Sequence, residues 1–187
     1  MIPYTTEPRS DTRVTNVTMG IWLFLASEVM FFGALFSAYA LLRVGAPSWP
    51  SGRDVLSLFI GSANTFVLLW MTAAVWRARA RPDRTRLWLV TSTGLAIVFL
   101  GFKGIEYAGE IRSGLLPSAS TFLAMYFTLT GLHALHVIGG IAANVWILAG
   151  AGRVPAPLTA GRVRAVTLYW AFVDVVWLAI FGLMYLS

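Results

Sequence analysis

Between Arg112 and Arg153 run 40 residues without a charged side chain, and between Asp54 and Arg77 another 22. An apolar, uncharged run of 18 residues or more reads as a membrane span. The whole chain agrees: of its 187 residues 12% are charged and 58% hydrophobic, where a soluble domain carries about 25% charged residues. Mean hydropathy is +0.74. The length allows one helical bundle and no sizeable water-soluble domain besides.

Five spans are expected: Thr18 to Leu42, Val55 to Trp76, Leu87 to Tyr107, Thr121 to Ala149 and Val163 to Leu186. Each suits about 20 residues of hydrocarbon thickness. The fold class is an all-α, polytopic membrane bundle, with residues 1–17 as a cytoplasmic tail and 18–187 as the five-helix domain. No segment alternates apolar and polar residues over ten positions, which argues against a β-barrel. No cleavable signal peptide is expected, because no small-residue cleavage site follows the first apolar run. Breakers mark the loops, among them Pro47, Pro50, Pro82, Pro117, Pro155 and Pro157.

The net charge of +6 does not point to nucleic acid, because the arginines follow a membrane topology rule. Ten of them (residues 9, 13, 77, 79, 81, 84, 86, 153, 162 and 164) fall on one side of the five spans. Arg43, Arg53 and Arg112 fall on the other. Positive residues favour the cytoplasm, so the N-terminus is expected inside and the C-terminus outside. Cysteine is absent, which removes disulfides, thiolate metal sites and a cysteine nucleophile.

Ionisable groups at mid-bilayer are costly, so each is a functional candidate. Glu28, His133, His136 and Asp174 qualify. From a 1.5 Å rise per residue, Glu28 and Asp174 lie about 15 Å, and His136 about 20 Å, from the inner ends of their helices. They could share one network, with either a proton-handling role or a purely structural one that fixes helix register. The structural reading is favoured. Lys103 and Glu106, three residues apart near the outer end of the third span, can pair or snorkel. His133 and His136 have workable ligand spacing, but they are the only histidines and share one helix. No metal or haem held by this chain alone is expected. The small residues Ser57, Gly61 and Thr65, and Gly139 and Ala143, read as helix-packing stripes. Trp22, Trp49, Tyr107 and Tyr185 read as an interfacial aromatic belt, and Trp170 and Trp177 as packed.

Four segments, in order along the chain, resemble the subunit III family of cytochrome c and quinol oxidases. They are Gly20 to Gly33 (GIWLFLASEVMFFG), Lys103 to Tyr107 (KGIEY), Thr130 to Gly139 (TGLHALHVIG) and Tyr169 to Trp177 (YWAFVDVVW). The resemblance maps the family's buried, carbodiimide-reactive glutamate onto Glu28. It maps the lysine, glutamate and tyrosine at a helix end onto Lys103, Glu106 and Tyr107. It implies a non-catalytic subunit of a proton-translocating oxygen reductase in a bacterial cytoplasmic membrane. Haem and copper would reside in partner subunits, and phospholipid is a candidate associate. Subunit I is the main expected contact, with subunit II, smaller subunits and membrane lipids as further partners. Two departures stand out. Longer members carry two additional N-terminal helices, which enclose a lipid-filled cleft with the rest. Ala171 stands where the family usually has histidine, so any role of that histidine is absent here. A nitric oxide reductase of the same superfamily would present the same motifs. An independent proton-coupled transporter is the third reading; the odd span count and the lack of an internal repeat weigh against it.

Overall fold

The structure, a computed structural model, describes residues 6–150 and 152–186. It is all-helical over those residues: α1 (Asn16–Gly45), the short α2 (Gly52–Val55), α3 (Leu58–Ala80), α4 (Thr85–Arg112), α5 (Thr121–Ala149) and α6 (Ala156–Tyr185). A 3-10 turn at Pro82–Arg84 joins α3 to α4. The five long helices are each apolar and long enough to cross a membrane.

α5 coincides with its expected span, α3 is shifted toward its C-terminal end, and α1, α4 and α6 run longer than expected, with the largest single offset at the start of α6. α6 begins at Ala156 rather than near residue 163, so Arg162 and Arg164 sit inside the helix. α4 likewise runs past Tyr107 to Arg112. Hydropathy marks where the apolar segment stops, whereas the backbone hydrogen-bond ladder continues into the interfacial region. Serine or threonine starts three helices: Thr15, Ser57 and Ser120 accept hydrogen bonds from Thr18, Ile60 and Leu123 N–H groups, satisfying donors the helix leaves open.

α6 is the hub, packing on α1, α3 and α5, while α4 closes the other side between α3 and α5. Trp170, Trp177 and Ile180 of α6 are fully enclosed with Phe99 of α4, Tyr126 of α5 and Met71 of α3. α1 lies at the edge. Its buried residues are Leu25, Phe32 and Tyr39, seven apart, and Leu35 packs against the core beside them. With Glu28 they form an a/d seam of period 3.5, a narrow contact stripe. The rest of α1 is bare: Met30, Leu41 and Val44 are exposed, as are Phe59, Phe66, Trp70 and Ile105 elsewhere. Such surfaces would be a liability in water and are at home against lipid or an apolar partner.

Small residues let the hub helix approach its neighbours. A Cβ on Gly61 would sit 2.7 Å from the Tyr185 ring, and one on Gly140 would run into the Trp170 indole. The stripe through Gly61 therefore packs inside the bundle. The belt assignment is compatible with Trp22, which is exposed. It fails for Tyr185, which is fully buried, and for Trp49, which packs edge-on against Tyr39 and Phe122. In both cases neighbouring helices cover a ring that hydropathy places at the interface.

Candidate functional site: buried polar nodes

The polar residues of the interior form separate nodes rather than one network. The first joins α1 and α5. His136 Nε2 lies 2.9 Å from Glu28 Oε2, each side chain 17% exposed. His136 Nδ1 lies 2.8 Å from the Leu132 carbonyl. A carbonyl only accepts, so Nδ1 carries a hydrogen. The Glu28–His136 contact then holds one proton, either on a neutral carboxyl donating to Nε2 or on an imidazolium donating to a carboxylate. Both forms leave the pair with no net charge, which suits it to the bundle interior. Phe32 packs edge-on against the imidazole at 5.0 Å, and Tyr169 OH donates to the His136 carbonyl at 2.7 Å. Ser27, one residue before Glu28, instead donates to the Phe24 carbonyl of its own helix.

His133 and Asp174 do not join this pair. Residues three apart on a helix point about 60° apart, which turns His133 inward. Its ring lies between Phe99 at 5.6 Å and Trp177 at 5.1 Å, and neither ring nitrogen has a hydrogen-bond partner. Asp174 is buried beside Thr72 of α3, and both carboxylate oxygens lack a hydrogen bond. Shared depth thus did not mean a shared network; the faces of α5 and α6 separate the groups. Among the described residues, no three histidine, aspartate or glutamate side chains gather as a metal site.

The second node ties α4, α5 and α6 near one end of the bundle. Lys103 does not snorkel: it is 3% exposed. Its three ammonium hydrogens have three acceptors: Glu106 Oε2 at 2.8 Å, Tyr126 OH at 2.9 Å and Tyr185 OH at 3.0 Å. Tyr185 OH in turn donates to Glu106 Oε1 at 2.8 Å. The rings of Tyr107, Tyr126, Trp177 and Tyr185 stand 4.8–5.7 Å from the ammonium, a cation–π cage. Tyr107 OH donates to Thr130, which donates to the Tyr126 carbonyl at 2.6 Å. Sequence reasoning missed Tyr126 and Glu110, and it read Tyr185 as an interfacial ring rather than a member of this node. Glu110 is buried one turn beyond Glu106, with no hydrogen-bond partner. Its signal was available, since residues 103, 106 and 110 share a helix face.

A third node lies toward the other end, about 27 Å along α5 from Tyr126. Asn144 donates to Ser92 at 3.0 Å and Thr93 at 3.2 Å and accepts from Trp170 Nε1 at 3.3 Å. Trp177 Nε1 donates to Thr65 at 3.0 Å, and Tyr39 OH donates to the Leu183 carbonyl at 2.8 Å. Every long helix is therefore fastened to α6 or α5 by side-chain hydrogen bonds. These count where water is excluded and apolar attraction between helices is weak.

An all-helical chain with five membrane-length apolar helices and interior polar nodes defines the class: a multi-pass membrane bundle. Its family follows from comparison with known proteins. The family model described as cytochrome c oxidase subunit III matches residues 9–187, and the chain belongs to that family. It is similar to the cytochrome bo(3) ubiquinol oxidase subunit 3 of Pseudomonas aeruginosa, with 31% identity over 91% of this chain and 85% of the relative. It is similar to a probable cytochrome c oxidase subunit 3 of Mycobacterium leprae, with 32% identity over 97% of this chain and 93% of the relative. It also matches a heme-copper oxidase subunit I+III of Aeropyrum pernix at 35% identity over 91% of its length, spanning 23% of that longer polypeptide. The chain is thus a membrane subunit III of the haem-copper terminal oxidases.

Proposed function

We propose that this chain is a non-catalytic accessory subunit that packs on subunit I of a respiratory oxidase and supports its stability and proton uptake. The family match across residues 9–187 carries the reading. A relative whose name joins subunits I and III in one polypeptide supports subunit I as the main partner. The apolar surface left bare on α1 supports extensive contact with partner or lipid. Haem and copper belong to the partners in this reading. The membrane is the bacterial cytoplasmic membrane. The arginine distribution supports an inside N-terminus, residues 1–17 as a cytoplasmic tail and an outside C-terminus.

Glu28 and His136 act first as a register lock. A polar pair in the heptad seam of α1 is satisfied in one alignment of α1 against α5, and sliding either helix leaves both groups unpaired. Glu28→Gln keeps size and hydrogen bonding but removes titration. Glu28→Ala leaves His136 Nε2 unpaired, a loss of about 1–3 kcal/mol. The Gln variant is expected to assemble with near-normal yield and initial oxygen uptake, and the Ala variant to assemble poorly. A Gln variant with full yield and severely reduced initial uptake would show instead that the pair relays protons.

A further inference from the structure

At the end of the bundle bearing the arginine-rich loops, a cavity of about 660 Å³ opens between the α3–α4 and α5–α6 hairpins. Its floor includes Leu89, Ile147 and Val163, all buried. Its rim carries Arg79, Arg86 and Arg164. The carboxylate at the rim, Asp83, lies 3.5 Å from Arg84. Among the described residues, Arg86 and Arg164 have no carboxylate partner. The cavity is therefore net positive above and apolar below, and it has the size of a small-molecule site.

Two helix starts add to the field. Thr85 and Arg86 open α4, and Ala156, Thr159 and Ala160 lie in the first turns of α6; all five line the cavity. Neither helix has a side-chain cap or an acidic residue in its first turn, whereas hydroxyls cap α1, α3 and α5. The positive ends of two long helices thus reinforce the arginines. Tryptophans mark the level: Arg77 stands over Trp88, Arg79 over Trp76 and Arg162 over Trp146, as suits the headgroup region.

We propose that this cavity binds one anionic phospholipid. Its phosphate would sit at Arg86, Arg164 and the two helix starts, and an acyl chain would run over Leu89, Ile147 and Val163. A free phosphate would satisfy the rim but leave the apolar floor uncovered; a lipid meets both with one molecule. The proposal rests on the helices spanning a bilayer and not on the oxidase reading.

The test uses the full chain purified from membranes with its accompanying subunits, delipidated in mild detergent. Phosphatidylglycerol or phosphatidylcholine is added, with or without excess inorganic phosphate, and retained lipid is counted by native mass spectrometry. The parent should retain one more phosphatidylglycerol than a variant carrying R86Q and R164Q, whose retention should weaken about tenfold or more. A variant carrying R81Q and R153Q, which removes arginines that do not line the cavity, should match the parent. Ala160→Trp fills the space at constant charge and should also lose the lipid; if it fails to fold, the pair of exposed arginines still decides the matter. Equal phosphatidylglycerol retention by parent and R86Q/R164Q would overturn the proposal. So would equal retention of phosphatidylcholine, or displacement by inorganic phosphate, which would mark a free-anion site.

Discussion

A carboxyl and an imidazole that share one proton inside a bundle are neutral as a pair, and Glu28 with His136 has that form. In sequence Glu28, His133, His136 and Asp174 look equivalent, because depth is a count along each helix. Which face each group occupies depends on how α1, α5 and α6 are rotated against one another, and that is set by packing. The saturated Lys103–Glu106 pair shows the same limit. Its spacing was readable, but its burial depends on Tyr126 and Tyr185 from two other helices. The pair is expected to behave as a coupled unit. Lys103→Met alone strands Glu106 and should destabilise by about 3–5 kcal/mol, while adding Glu106→Gln should restore much of the loss. Reversible unfolding in mixed micelles with rising dodecyl sulfate would measure it; equal destabilisation by the single and double variants would show that the charges are not coupled.

Among the elements, α1 and α6 mark the extremes of how a helix can be used here. α6 buries residues on several sides, from Val163 to Tyr185, whereas α1 offers the seam through Leu25, Glu28, Phe32, Leu35 and Tyr39. The number and order of the long helices were readable because uncharged runs measure the membrane directly. Their ends were less readable, because arginines such as Arg162 and Arg164 can stay helical with their heads in water. The hub position of α6 makes its contacts intolerant of added bulk. Gly140→Ala puts a methyl into the Trp170 ring and should cost about 1–3 kcal/mol. Gly94→Ala, with open space around its Cα, should be neutral or stabilise α4 by about 0.5–1 kcal/mol. Thermal unfolding of the two variants in detergent should separate them; equal midpoints would argue against close α5–α6 packing.

For the whole molecule, a five-helix bundle with interior polar fasteners and a wide apolar exterior suits the accessory place in a respiratory oxidase proposed above. The motifs at Glu28, Lys103, His133 and Asp174 gave the family from sequence, and the family model agrees over residues 9–187. The third polar node, around Asn144, Ser92 and Trp170, was not foreseen, since serine, asparagine and tryptophan are common in helices that make no such contact. The most direct measurement is an optical spectrum and oxygen-uptake rate of the complex that co-purifies with the tagged chain from native membranes, followed by a spectrum of the chain after separation. The account predicts reduced haem bands and oxygen uptake in the complex, and no haem on the separated chain. A chain that purifies without a haem-bearing partner, or that keeps a haem of its own after separation, would contradict it.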